Sequence, residues 1–452
     1  MSSMSQIGYS GVNAAQIAMN TTANNIANLN TPGYSRLIAG FGSLAGQGQL
    51  AGGGVEVTGI RRMTSDFNNQ QLWRAGAQAG YHATGGQYLG ALEKLMGGEG
   101  SSISVGLDNF FAALSEATVS PESTALRQQV ISETRNLTQR FNGLNRNIAS
   151  QLSDLRQQRS SMTAEVNGLA ANLAQVNQRI VEAQASGQDT SALRDHRENL
   201  VGELAQFAEL RVNETADGAL TISFGNGQPL VAGGSAATLS ISTASDGTQE
   251  LALTFAGTRF PLSQSQLGSG LGALHEVEQQ QLLPTQQALR EMAEQMASSI
   301  NATLASGFDL NGNPGQALLT FDPTSGLLAL TDLKPDELAF SDTAGEVGNN
   351  AVLLALIELK NQRITVGGQS VVLNDAYAGL LGEVASASRQ NQEDLKTSVA
   401  VFEHAMGQRD SLSAVSENEE GINLMTYQKA FQANMQVINT ANQLFDSVLA
   451  AF

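Results

Sequence analysis

The 452-residue chain has no cysteine, so disulfides, thiolate metal sites and thiol catalysis are all excluded. Basic residues are few: 24 Lys and Arg stand against 42 Asp and Glu, a formal net charge of -18. Such a surface repels a phosphate backbone and an anionic lipid headgroup, so neither nucleic acid nor membrane is an expected partner. No apolar run reaches the ~18 residues that a membrane span needs. The first residues, Met1 to Gln6, resemble neither the basic nor the apolar part of a cleaved signal peptide. If the protein leaves the cell, a route without a cleaved signal is expected. The length and the 41% hydrophobic content still suit a folded protein of roughly two to four domains.

Catalytic constellations are also missing. The four histidines, His82, His196, His275 and His404, are scattered, and none has a second histidine at metal-ligand spacing. Asp309, Asn311 and Asn313 begin like a calcium loop, but Pro314 stands where glycine is needed and Thr320 where a bidentate glutamate is needed. A β-turn is the better reading. Gly268, Gly270 and Gly272 have the wrong spacing for a nucleotide loop, and no Gly-Lys-Ser/Thr follows. There is no Gly-x-Ser-x-Gly elbow. No catalytic, metal or cofactor-binding residue can be named, so the expectation is a non-enzyme without a cofactor.

Charge is absent from one region where pattern is strong. Between Met1 and Ser35 no side chain is charged, while Val12, Ala15, Met19, Thr22, Ile26 and Leu29 recur at three- and four-residue steps, the seam of one helix. Thr31-Pro32-Gly33 should end that helix near Asn30, with a Gly-rich loop over 40–54. At the other end Leu424, Phe431, Ile438, Phe445 and Phe452 fall seven apart, and Gln428, Met435, Asn442 and Leu449 fill a second set. Gln428 and Asn442 either pair across helices or face a pore or neighbour. Long charge-free, amide-rich helices are poor surfaces for an isolated molecule, so both ends are expected to be disordered or loosely helical in the monomer and to become ordered only when neighbours cover them.

Between the ends, apolar residues from Leu137 to Ile180 predict one long helix, with a stutter from Leu144 to Leu152. Further helices are legible at about 191–210, 275–304 and 375–413. Short alternating runs punctuated by Asp217-Gly218, Asn226-Gly227 and Asp246-Gly247 predict hairpins over 211–271. A second β-type stretch, 317–373, is interrupted by a helical segment at 349–359. The simplest topology is a helical stem with β structure inserted, and chain ends that return to meet.

The runs Ser10-Gly-Val-Asn-Ala-Ala-Gln16, Ala23-Asn-Asn-Ile-Ala-Asn28 and Thr31-Pro-Gly-Tyr-Ser-Arg36 resemble the shared N-terminal motif of the flagellar axial proteins. Asn423-Leu-Met-Thr-Tyr-Gln-Lys-Ala-Phe-Gln-Ala-Asn434, continuing through Val437 to Asp446, resembles their matching C-terminal helix. Leu107 to Leu114, Pro121 with Arg127, Leu193-Arg-Asp-His-Arg-Glu-Asn-Leu200 and Gly307 to Asn313 are similar to the hook-associated members.

That resemblance implies an α+β fold: a long-helix bundle stem with a terminal antiparallel coiled coil and an inserted, mainly β outer domain. The corresponding division is 1–35 with 417–452 for the coiled coil; 36–210, 273–306 and 374–416 for the stem; 211–272 and 307–373 for the β-rich insert. It implies a structural subunit joining hook to filament, exported and assembled at the distal end of the hook. Its partners would be further copies in a ring or short helical segment, the hook protein, the second junction protein (hook-associated protein 3), and an export chaperone at the C-terminal region. A hook or distal-rod protein and a non-flagellar secreted coiled-coil effector remain the alternatives at this point.

Overall fold

The computed structural model describes residues 3–45, 52–244 and 247–450; Asp246 of the third expected turn and Phe452 of the C-terminal set lie outside them. Helix α1 (Ser3–Ala27) is followed by strands β1 (Leu37–Leu44) and β2 (Gly54–Arg62), which pair antiparallel with an irregularity at Gly40/Phe41. Of the expected loop over 40–54, residues 46–51 lie outside the described residues, while 40–44 and 54 belong to this β-ribbon. Its alternation was masked by glycines at 40, 42, 53 and 54.

Three helices then build the stem: α2 (Asp66–Gly97), α3 (Ile103–Ala117) and α4 (Thr124–Ala185). Each starts behind a serine, Ser65, Ser102 and Ser123, whose Oγ accepts the N–H of the third helical residue. The 62 residues of α4 give a rod ~93 Å long. Helix α5 (Ser191–Ala205) folds back on it.

Two small antiparallel sheets follow. Strands β3 (Leu210–Glu214), β4 (Leu220–Phe224), β5 (Pro229–Ala232) and β6 (Ser235–Ala236) form one, in chain order; β7 (Thr238–Thr243), β8 (Gln249–Phe255) and β9 (Thr258–Pro261) form the other. Gly218 and Gly227, both at positive φ, make the turns that Asp-Gly and Asn-Gly announce.

The chain then returns through α6 (Ser269–Val277), a π turn at Glu278–Leu282, and α7 (Leu283–Ala305). Buried Glu278 at that turn is held by Arg159 at 2.5 Å and Arg156 at 2.9 Å, fixing the segment to α4. Hairpin β10 (Leu319–Asp322) with β11 (Leu327–Leu330), α8 (Ala351–Glu358), and hairpin β12 (Arg363–Val366) with β13 (Gln369–Val372) lead to α9 (Leu373–Ser413) and α10 (Glu417–Leu449).

Apolar packing divides into two cores along α4. One gathers Leu92, Phe110, Leu144, Met292, Leu319 and Tyr377 from α2, α3, the first half of α4, α7, β10 and α9. The other gathers Val166, Leu173, Val201, Ile222, Leu239 and Leu253 from the second half of α4, α5 and the strands β3 to β9. The two β-containing stretches therefore do not share a core: the segment 307–373 packs into the stem, apart from the sheets of 210–261.

Asparagines fasten these layers. In five places among the described residues an Asn amide on a helix both accepts the N–H and donates to the carbonyl of a single leucine, as a neighbouring strand would: Asn25 with Leu37, Asn142 with Leu328, Asn167 with Leu239, Asn177 with Leu220, and Asn301 with Leu319. An amide carries one donor group and one acceptor at peptide-like spacing, so it satisfies backbone groups that the sheet leaves open. Arg127 closes the far end of α4. Its guanidinium donates to the carbonyls of Pro121 and Leu338, each at 2.5 Å, and lies 4.4 Å from the Phe340 ring centre. Burial lowers its pKa to about 10.

Candidate assembly interface

The face that α1 buries is made of Gly8, Gly11, Ala14, Ala15, Ala18, Thr21, Thr22 and Asn25, a helical stripe of small residues. Against it lies α10. A Cβ at Gly8 would stand 2.8 Å from Ile438 Cγ1, and one at Gly11 2.4 Å from Asn434 Oδ1, so the helices approach as closely as glycine allows. At the other end of the pair Arg36, beyond the C-terminus of α1, reaches Glu419 (2.5 Å) and buried Glu420 (2.7 Å) in the first turn of α10. The two helices are therefore antiparallel. Phe41 of the ribbon meets Tyr427 of α10 with ring centres 6.3 Å apart.

The inner stripe of α10 runs Leu424, Tyr427, Phe431, Asn434, Ile438, Ala441. Of the residues that the sequence singled out, Leu424, Phe431 and Ile438 are half-buried, whereas Gln428, Met435, Asn442, Phe445 and Leu449 are exposed. On α1, Ala15 and Thr22 are buried, Val12 and Met19 half-buried, and Ile26 exposed; Leu29, in the turn beyond the helix, is half-buried. Sequence reasoning missed Gly8, Gly11, Asn25, Tyr427, Asn434 and Ala441, because small and polar residues carry no hydrophobic signal. The available clue was spacing: a second stripe three residues after the first, rather than four.

Much of this pair's apolar surface stays uncovered. Among the described residues, fourteen of the twenty-two exposed large hydrophobic ones belong to α1, the β1–β2 ribbon and α10, which together are about a sixth of the chain. Beyond Ala441 every described residue of α10 is exposed, including Leu444, Phe445, Val448 and Leu449. Apolar residues gathered in this way mark a surface made to be covered.

A rigid joint fixes the pair to the stem. Tyr34 Oη donates to Asn25 Oδ1 at 2.9 Å; burial, then Asp195, Glu420 and Asp189, push its pKa up to about 12. Arg409 on α9 donates to the Gly33 carbonyl, and Asn199 on α5 to the Pro32 carbonyl. Arg62, at the end of β2, binds Asp195 at 2.5 Å and Glu198 at 2.9 Å, both on α5, while the Ser35 N–H also donates to Asp195. Burial raises the pKa of Glu198, with Arg62 opposing. The other face of α5 points to the first sheet: Arg194 and Arg197 both hold Glu214, and Arg197 also donates to the Gly218 carbonyl at 2.6 Å. One segment, 193–200, thus joins the terminal pair, the stem and the sheet.

Among the described residues no group of three His, Asp or Glu side chains is placed to hold a metal, and no helix is long and apolar enough to cross a membrane. His82 lies against Asn391, and His275 has its pKa lowered by burial and Arg159.

Comparison with known proteins agrees with this architecture. Residues 89–319 match the model described as flagellar hook-associated protein FlgK helical domain; 6–34 match that of flagella basal body rod protein; 408–451 match the flagellar basal body rod FlgEFG protein C-terminal model. The chain is 26% identical over 552 residues to flagellar hook-associated protein 1 of Salmonella typhimurium, covering 99% of this chain and 100% of the relative. It is 24% identical over 496 residues to that of Bacillus subtilis, covering 97% and 96%. In fold it is similar to the flagellar hook junction protein FlgK from Burkholderia pseudomallei, with a TM-score of 0.70, 15% identity, and coverage of 76% of this chain and 100% of that one. The chain belongs to the flagellar hook-associated protein 1 (FlgK) family, structural and non-enzymatic proteins of the hook–filament junction.

Proposed function

We propose that the α1–α10 pair is the element through which copies of this chain join one another in a ring or short helical segment at the distal end of the hook. The observation that carries this is the concentration of uncovered apolar side chains on α1, the β1–β2 ribbon and α10. Each such side chain gains about 1.5 to 3 kcal/mol when fully buried, so a few neighbours suffice to drive assembly. In this reading Val12, Met19 and Ile26 on α1, Leu29 just beyond it, and Gln428, Met435, Asn442, Phe445 and Leu449 on α10, complete their contacts with adjacent subunits. The hook protein lies on one side of the layer and the second junction protein, hook-associated protein 3, on the other. Export proceeds through the flagellar type III apparatus, and a cytoplasmic chaperone covers the C-terminal region until then.

Deleting the gene and imaging the remaining flagella by electron microscopy tests this reading. Complete hooks without filaments, flagellin lost to the medium, and recovery on re-expressing the chain are the expected results. Intact filaments in the deletion strain would overturn it, and rods without hooks would move the chain to an earlier position in the axis.

A further inference from the structure

A groove of about 570 Å³ runs between α2, α5 and α9 on the stem. Its walls present Leu72 and Trp73 from α2 and Leu395, Val399 and Phe402 from α9, with the polar side chains of Asn69, Gln206 and Arg409 beside them. The chain's own α10 does not fill it, since α10 packs on α1. One exposed carboxylate at the rim, Glu203 of α5, makes no ion pair or side-chain hydrogen bond among the described residues.

A matching ridge exists among the exposed residues of α10. Ile422, Met425, Lys429, Gln432 and Met435 recur there at three- and four-residue steps. Ile422 is 60% exposed, Met425 58% and Met435 40%. Lys429 is the one basic residue of α10, exposed and likewise without an ion-pair partner among the described residues. Lengths agree: the groove-lining stretch of α2 from Asn69 to Ala83 spans ~21 Å and the ridge ~20 Å at the helical rise. Charge agrees as well. Copies of a chain with a net charge of -18 repel one another, so a contact between them is favoured where a lone cation meets a lone carboxylate.

We propose that this groove receives the Ile422 to Met435 ridge of α10 from a second copy of the chain, with Lys429 against Glu203. The proposal rests on the assembly reading above and names the surface that would carry it. Ridge and groove are different surfaces of one molecule, so the contact is head-to-tail and repeats from copy to copy, as a ring or short helix requires. The terminal pair of each copy is then held by the stem of the next.

The absence of cysteine makes the test direct. Full-length M425C and V399C variants are co-expressed in a strain lacking the gene, and isolated hook–filament structures are mildly oxidised. The proposal expects a disulfide-linked dimer from the mixture that neither variant gives alone. It also expects K429E to remove that dimer when added to the M425C variant, and E203K added to the V399C variant to restore it. Restored filaments with no cross-link, or a cross-link indifferent to K429E, would overturn the groove contact and leave the assembly reading standing. Failure of the unsubstituted chain to restore filaments would overturn the assembly reading itself.

Discussion

Arg62→Met tests the joint between the terminal pair and the stem. Arg62 is the cation that lies between Asp195 and Glu198, whose side chains are 11% and 15% exposed. Removing it leaves two mostly buried carboxylates facing each other without a counter-charge, which costs about 3 to 5 kcal/mol. The loss should be local, releasing residues 31–62 from α5 while both cores stay folded. Its pH dependence has a definite sign. Burial already raises the pKa of Glu198 against the pull of Arg62, so without the arginine it rises further and the folded joint holds a proton that the released one gives up. The joint is then firmest in acid, and its stability falls as pH rises from the ordinary glutamate range toward the raised value. Limited proteolysis or hydrogen exchange of the 31–62 segment at pH 5 and pH 7.5 measures this. Faster cleavage at neutral pH, relieved by acid and by a second substitution, Glu198→Gln, is expected. An Arg62→Met protein whose joint is as protected as the parent's, or whose exposure ignores both pH and Glu198→Gln, would refute the reasoning.

Three further substitutions probe other contacts. Phe431→Asp puts a charge in the inner stripe of α10 and should block incorporation into flagella while the helical content of the stem is unchanged; normal motility in that variant would count against the pair as the assembly element. Gly8→Val would force a carbon to within 2.8 Å of Ile438, an overpacking of about 1 to 3 kcal/mol, visible as faster amide exchange in α1. Asn177→Leu strips partners from the Leu220 N–H and carbonyl and from the Gly233 carbonyl. At about 1 kcal/mol or more for each buried group, denaturant should unfold the β3–β6 region earlier by about 3 kcal/mol, whereas Asn142→Leu should spare that region.

What could be read from the sequence follows from what each element uses to hold itself. Helix α4 announces itself because Leu137 to Ile180 are aliphatic at regular steps, and the Asp-Gly and Asn-Gly turns announce hairpins. The C-terminal stripe was half legible: Leu424, Phe431 and Ile438 were read, but Tyr427, Asn434 and Ala441, which complete it, are polar or small. On α1 the aliphatic seam lies partly to one side of the buried face, because that face is Gly8, Gly11, Ala14 and Ala18, residues chosen for closeness rather than hydrophobicity. The asparagine pins were illegible for the same reason, since each depends on a leucine distant in the chain. The separate packing of 307–373 was hidden too, because alternation reveals a strand but not the core that receives it. Asp195, Glu198 and Asn199 stood in a segment legible only as a helix and a family resemblance; their role as a joint needed Arg62 and Pro32 to be brought alongside by the fold.

The central claim is that neighbouring copies cover the uncovered faces of α1 and α10. Amide hydrogen exchange on the full-length protein, free in solution and again within isolated hook–filament junctions, measures this residue by residue. The account predicts protection rising by about 100-fold or more, equivalent to ~2.7 kcal/mol, along Ser3–Ala27 and Glu417–Leu449, with α4 nearly unchanged. Equal protection of both terminal helices in the free and assembled states would contradict it.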